Sequence, residues 1–181
     1  MIKGKRINLR LVEESDLETL HKLQSDVQEN GPYSNLALRS ITHLKQHFRE
    51  HGMTKIDNGM LLITDKENHI VGMIQHFLGL KYSTGYELGT TIYKEENRGK
   101  GYATEALKLY TAYIFESRPI RRLELATSAD NIGAQSVAEK CGYTFEGINR
   151  KSCYIRGVAV DLRRYSILRE EVPSLQSLLG E

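Results

Sequence analysis

The stretch from Tyr86 to Leu107, YELGTTIYKEENRGKGYATEAL, constrains this chain more than any other. A strand-like run leads through the polar turn Lys94–Asn97 into Arg98-Gly99-Lys100-Gly101, and a long helical pattern opens directly behind it. The first amides of a helix have no internal acceptor and point outward. The helix dipole adds about half a positive charge at that end. Gly99 and Gly101 let the backbone approach a bulky anion with no Cβ in the way, and Arg98 and Lys100 stand beside it with full charges. The arrangement suits a diphosphate. The plainer alternative is a helix start that uses glycine only to turn, and the rest of the sequence has to decide between them.

The chain has 181 residues, enough for one sizeable core. No repeat or low-complexity tract interrupts it, and Pro32, Pro119 and Pro173 do not split it, so a single domain over 1–181 is expected, with its core over about 6–169. Arg6–Leu11 alternates weakly as a first strand. Ser15-Asp16-Leu17-Glu18 fits a capping box, and Ser40 fits the cap of a second helix running to about His51. Strands follow at Met60–Thr64, His69–Leu78 and Tyr86–Tyr93, the first two joined by the turn Asp65–Asn68. Gly101–Ser117 is the strongest helical pattern. Arg122–Thr127 reads as a strand and Asn131–Lys140 as a helix stopped at Gly142. Thr144–Tyr154 and Val158–Leu168 are strands around Arg156-Gly157. The order β-α-α-β-β-β-α-β-α-β-β predicts a mixed α/β (α+β) sheet of about seven strands with about four helices.

Charge and composition narrow the function. Twenty-five basic residues face 23 acidic ones, and they are dispersed, which argues against a nucleic-acid partner. No run approaches the roughly 18 apolar residues of a membrane span, and the start MIKGKRINLRL lacks a signal-peptide core, so no membrane partner and a cytoplasmic location are expected. Cys141 and Cys153 form no metal-binding pair and read as reduced thiols.

Arg98-Gly99-Lys100-Gly101-Tyr102-Ala103 matches the coenzyme A signature Arg/Gln-x-x-Gly-x-Gly/Ala. Downstream stand Asp130-Asn131, Val137-Ala138-Glu139-Lys140-Cys141-Gly142-Tyr143, Phe145-Glu146-Gly147, Asp161 and Tyr165-Ser166-Ile167-Leu168. On these residues the chain resembles the GNAT superfamily of N-acetyltransferases, and within it the RimJ/RimL-like branch. The resemblance implies a central, mostly antiparallel twisted sheet splayed between its fourth and fifth strands, acetyl-CoA as co-substrate and no metal. It implies that the backbone of Ile92, Tyr93 and Lys94 holds the pantetheine arm. The amides of Gly99, Lys100, Gly101, Tyr102, Ala103 and Thr104, beside Arg98, would bind the diphosphate. Asn131 would reach the pantetheine amides, unless it merely begins a helix. The acetyl group would pass by direct attack within a ternary complex to a small-molecule or peptide amine: a protein N-terminal α-amine, a polyamine, an aminoglycoside or another small amine. A homodimer is compatible with the family.

Acetyl transfer needs a deprotonated amine, a stabilised oxyanion and a departing thiolate. Glu87 is the candidate base. It lies eleven residues ahead of Arg98, the offset at which the histone-acetylating branch of the superfamily carries a catalytic glutamate. It can equally be a structural strand residue, or one that only attracts a cationic substrate, as Asp26 and Glu29 also can. The backbone amide near Ile92–Tyr93 is the family-like oxyanion donor. The acid is missing from its usual places: the family's serine and tyrosine positions hold Ala134 and Ala138, and Cys153 replaces a glutamate of RimL-like enzymes. Tyr143 and Tyr154 are substitutes, and a thiol with a pKa near 8.5 can also leave unaided. The empty acid positions keep open an acetyl-CoA-binding sensor without turnover.

Two features point elsewhere. His43, His47 and His51 share one face of the second helix, where a zinc site, a solvated stripe or an acceptor-cleft lining are the alternatives. Gly99-x-Gly101 with Glu124 downstream suggests a dinucleotide site, but Thr104 replaces the third glycine and Glu124 falls inside a strand.

Overall fold

The computed structural model describes residues 1–28, 30–34, 38–79 and 85–180. Its strands are β1 (Ile2–Lys3), β2 (Asn8–Arg10), β3 (Asn58–Thr64), β4 (Ile70–Phe77), β5 (Tyr86–Ile92), β6 (Arg122–Ser128), β7 (Thr144–Ile155) and β8 (Val158–Leu168). The helices are α1 (Leu17–Ser25), α2 (Ile41–His51), α3 (Tyr102–Ser117), α4 (Ile132–Lys140) and α5 (Leu175–Gly180). The strands form one sheet in the order β1-β2-β3-β4-β5-β6-β8-β7. Every neighbouring pair is antiparallel except β5–β6.

That parallel pair is the architectural event. β5 and β6 share two register pairs, Tyr86↔Leu123 and Glu87↔Glu124, whereas β4 and β5 share six from Gly72↔Ile92 to Phe77↔Glu87. Beyond Glu87 the two strands part, which is the expected splay between the fourth and fifth strands of the predicted count.

Alternation along the strands sends side chains to two cores. Ile63, Ile74, Leu88 and Leu123 pack with Leu107, Tyr110 and Ile114 of α3 on one face. Leu62, Met60 and Tyr93 pack with Leu17 and Leu20 of α1 on the other. His76 is buried on the α3 side; the Tyr110 hydroxyl donates to its Nδ1 at 2.7 Å and its Nε2–H donates to the Ile56 carbonyl at 3.0 Å. Burial pushes this imidazole below its ordinary value, with Arg118 adding to the effect.

Ser40 caps α2 as expected, its Oγ accepting from the His43 amide at 3.2 Å, and α2 ends at Gly52 with φ 57°. The other capping box is a correction. Ser15 lies inside a short 3-10 turn, and α1 begins only at Leu17. The residue that reaches back is Asp16, whose Oδ2 accepts from the Glu13 amide at 2.8 Å. Arg10 is the reason: its guanidinium takes both Asp16 oxygens, at 2.6 and 2.8 Å, with the two side chains only 7% and 10% exposed. A buried guanidinium needs a carboxylate, and that demand sets the start of the helix. Glu18 instead pairs with Lys45 of α2.

Two elements escaped the sequence pattern. β1 doubles back onto β2 through Gly4, where a Cβ would lie 2.3 Å from Glu105 Oε1. α5 returns Leu175 and Leu178 to the edge of the α3 core. A two-residue strand and a six-residue helix are too short for periodicity to register.

The Arg10–Asp16 pair yields a pH-dependent prediction. The hydrogen bond from Arg10 holds the Asp16 carboxyl below its usual range, against the opposing effect of burial. A depressed carboxyl contributes stability that is fully present above its unfolded value, about 4, and lost as pH falls through its lower native value. Asp16→Ala leaves the guanidinium buried and unpaired, and is expected to cost about 3–5 kcal/mol at pH 7 in urea denaturation. The gap between variant and parent should narrow as both are titrated below pH 4.

Candidate active site

The parting of β5 from β6 leaves a strand edge inside the sheet. The Tyr93 amide donates to the Val71 carbonyl at 2.9 Å, continuing the β4–β5 ladder. In an antiparallel ladder alternate residues turn their backbone groups to one neighbour. Tyr93, Thr91 and Gly89 therefore face β4, while Thr90 and Ile92 face the side that β6 has vacated. An extended chain can add to such an edge. Among the described residues, the Thr90 Oγ1 is a buried polar atom without a hydrogen-bond partner. This corrects one expectation: of the Ile92–Tyr93 pair, the Tyr93 amide is consumed within the sheet and only Ile92 addresses the gap. The Tyr93 ring sits in the α1 core, where burial pushes its phenol up to about 12.

The polar turn follows at once. Lys94 leaves the strand with φ 59°. The Asn97 side chain donates to the Tyr93 carbonyl at 3.2 Å, and the Arg98 amide to the Glu95 carbonyl at 2.9 Å. Gly99 and Gly101 have φ 73° and 82°, left-handed values that glycine adopts without steric cost. A Cβ at Gly99 would meet nothing within 4 Å, so the outer side of the turn is open. The first internally bonded amide of α3 is Glu105, which donates to the Gly101 carbonyl at 3.0 Å. The amides of Gly101, Tyr102, Ala103 and Thr104 precede it and are left for an anion.

Arg6 braces this turn, and sequence reasoning missed it. Its Nη1 donates to the Lys100 carbonyl at 2.9 Å, and its backbone amide donates to both Glu105 carboxylate oxygens, at 3.1 and 3.2 Å. It thereby occupies the carboxylate in the first turn of α3. Nothing in the spacing of residues 6 and 100 announces the contact. Arg98 lies against the loop after α1, since a Cβ at Gly31 would come within 3.0 Å of its Nη2.

On the other side of the gap, Asn131 is the N-cap of α4; its Oδ1 accepts from the Ala134 amide at 3.1 Å, so its side-chain nitrogen is the part able to reach a ligand. The substitute acids fare differently. Tyr143 is buried in the α3 core with its hydroxyl 2.7 Å from Thr111 Oγ1, and burial pushes it far up, so it cannot protonate anything in the gap. Tyr154 is 69% exposed near the end of β7. The Cys141 thiol is pushed up to about 12 by burial, which leaves it inert.

Glu87 stands in the last β5–β6 register pair, directly opposite Glu124. Its Oε2 accepts from Arg164 Nη1 at 3.0 Å, and Arg164 Nη2 donates to Glu124 Oε2 at 2.7 Å. Arg122 holds the other Glu124 oxygen at 2.8 Å and pairs with both oxygens of Glu146. The guanidinium of Arg122 holds the Glu146 carboxyl below its usual range. Three carboxylates and two guanidiniums thus meet at the point where the sheet opens.

Described residues of the loop after α1 are tied to the β7–β8 hairpin and to the turn before α4. Arg156 Nη2 donates to the Val27 and Gly31 carbonyls, both at 2.8 Å, and the Tyr33 hydroxyl donates to the Asp130 carbonyl at 2.8 Å. Asp26 belongs to the same loop; Glu29 lies outside the described residues. The helix α2 histidines do not gather: His47 contacts Met53 sulfur and meets His51 edge-on with ring centroids 5.9 Å apart. Among the described residues the three-membered group with metal-ligand spacing is Asp65, Glu67 and His69, in the exposed turn between β3 and β4.

The family described as Acetyltransferase (GNAT) domain matches residues 6–144. The "Probable N-acetyltransferase YjcK" of Bacillus subtilis is 27% identical, over 94% of this chain and 98% of its own. A GNAT-family acetyltransferase from Bacillus anthracis superposes with a TM-score of 0.77 at 25% identity, covering 94% of this chain and 99% of that one. The spermidine N-acetyltransferase of Vibrio cholerae, solved with CoA and spermine, superposes with a TM-score of 0.79 at 22% identity, over 92% and 97%.

The turn can be tested through its glycine. An L-residue in the left-handed region costs about 1–2 kcal/mol, and a Cβ at Gly101 would lie 3.2 Å from Arg6 Nη1. Gly101→Ala should relax the turn and weaken coenzyme A binding about tenfold in titration calorimetry, with the circular dichroism spectrum of the folded protein retained.

Proposed function

Because the chain belongs to the GNAT acetyltransferase family, we propose that it transfers an acetyl group to a primary amine by direct attack within a ternary complex, with Glu87 as the base. Acetyl-CoA supplies the acetyl group as an activated thioester. The amides of Gly99–Thr104, with Arg98 and Lys100 beside them, bind the diphosphate. The vacated edge of β5, through Ile92, pairs with the pantetheine arm, and Asn131 offers its side-chain nitrogen from the far side. Lys94 redirects the backbone between these two segments.

The observation that carries this reading is the coincidence of three features on one strand. β5 bears Glu87 at the fork, an unpaired edge beyond it, and the anion-binding turn at its end. Only one Glu87 oxygen is engaged by Arg164, so Oε1 remains to accept the ammonium proton, directly or through a water. The freed amine then attacks the thioester carbon, the Ile92 amide faces the developing oxyanion, and the C–S bond breaks as the new amide nitrogen gives its second proton to the departing thiolate, leaving the amide and free coenzyme A thiol. No side-chain acid is assigned, because the thiolate is a fair leaving group.

The fork carries one more negative charge than positive among its five ionised side chains, which favours an acceptor arriving as a cation. Polyamines and other small amines fit this, as does a peptide α-amine of the kind the RimJ/RimL-like resemblance suggests.

Thiol release should therefore be measured with a panel of spermidine, an aminoglycoside and peptides bearing a free α-amine. Glu87→Gln should lower kcat by a hundredfold or more on whichever amine is used, while calorimetry shows coenzyme A binding unchanged. Full turnover of that variant at every pH would remove Glu87 from the chemistry. Coenzyme binding without thiol release on any amine would turn the reading to a sensor without turnover, and no heat with coenzyme A would overturn it altogether.

A further inference from the structure

We infer that Arg164 is a positioning residue for the acetyl transfer: it bridges Glu87 to Glu124 across the fork, and so fixes both the orientation of the base and the width at which the sheet begins to open. The inference rests on the reading of Glu87 as the base.

The register creates the problem that Arg164 solves. Glu87 and Glu124 are direct partners on adjacent strands, which run about 4.8 Å apart. Like charges directly opposite one another repel, and this pair is the last one holding β5 to β6. A cation between them converts the repulsion into a cross-link. Arg164 reaches in from β8, where it stands opposite Ala126 and Gly147, neither of which obstructs it. Its two Nη atoms are divided between the two carboxylates, at 3.0 and 2.7 Å. A planar guanidinium can serve two acceptors on different strands at once, whereas a lysine ammonium is a point charge. The three side chains are 15% to 22% exposed, so bulk solvent screens them incompletely.

Glu124 is itself held. Arg122 takes its second oxygen and is anchored in turn on Glu146 of β7. The bridge is therefore built out from an anchored carboxylate toward the reacting one. Among the described residues, the charged groups linked to Glu87 through this hydrogen-bonded cluster are Arg164 of β8, Glu124 and Arg122 of β6 and Glu146 of β7. On its own face β4 contributes Gln75 and Phe77, which are uncharged, beside Gly89.

Removing the bridge leaves two facing carboxylates with no guanidinium between them, and such a pair retains a proton to higher pH. In Arg164→Met, the acid limb of the kcat/KM profile should move up by about one pH unit, with about a tenfold loss on that limb and recovery above it. Coenzyme A affinity should stay within about twofold, since the diphosphate turn is untouched. Arg164→Met combined with Glu124→Gln removes the repulsion and should return the limb to its original position. Arg164→Lys should keep the limb in place with a reduced kcat.

Glu124→Gln alone carries the same test if Arg164→Met does not fold. It leaves Arg164 to a single carboxylate, and the acid limb should move to lower pH. A profile that is scaled down but not displaced in Arg164→Met, or unmoved in Glu124→Gln, would reduce Arg164 to a structural role and overturn the inference. Loss of turnover in Glu87→Gln with undisplaced profiles would sink this inference alone. Unimpaired turnover in Glu87→Gln would sink the base assignment, and the positioning role with it.

Discussion

The separation of β5 from β6 after two register pairs governs the rest of the molecule. Sheets gain from pairing every backbone group, so a sheet that unzips in its middle must have a use for the edge it exposes. Here the exposed edge is continuous with the glycine turn and the free amides of α3. Edge, turn and helix start form one continuous track, which is the basis of the proposed coenzyme site. The residues that keep the fork closed at its base are Tyr86 and Leu123, both buried in the α3 core, and the charged bridge from Glu87 through Arg164 to Glu124.

Long-range arginines tie this track to its surroundings. Arg6 holds the Lys100 carbonyl and the Glu105 carboxylate, coupling the N-terminal strand to the glycine turn. Arg10, on β2, is paired with Asp16 and so sets where α1 begins. Arg156, at the tip of the β7–β8 hairpin, grips two carbonyls of the loop after α1. That tip is a two-residue turn with φ of 49° and 80°, a geometry matched to the strand twist, and it holds the arginine against that loop. Arg6 and Arg156 reach across the sequence directly, and Arg10, six residues from Asp16, does so through its Nε, which donates to Asn68 Oδ1 at 2.9 Å.

The elements with a repeating pattern were legible from the amino-acid order. The α3 stripe, the β3–β4 hairpin and the late strands appear within a few residues of where alternation and glycine placed them. So do the Ser40 cap and the Gly142 stop, with Gly142 at φ 85°. These features depend on neighbours at most a few residues away, which a linear reading can see. The glycine turn is of the same kind, since positive φ at Gly99 and Gly101 and unpaired helix amides are local consequences of local residues.

Tertiary contacts decided the rest. Ser15-x-x-Glu18 had the right letters for a cap, but burial of Arg10 recruited Asp16 instead. The Tyr93 amide looked available until β4 took it, and Tyr143 looked like an acid until the core closed over it. Arg6 and Arg164 carry no motif, and no spacing announces the bridge from Arg164 to Glu124. Their roles come from meeting partners between 40 and 99 residues away, because a carboxylate or guanidinium acquires its chemistry from whichever charges the folded chain packs beside it.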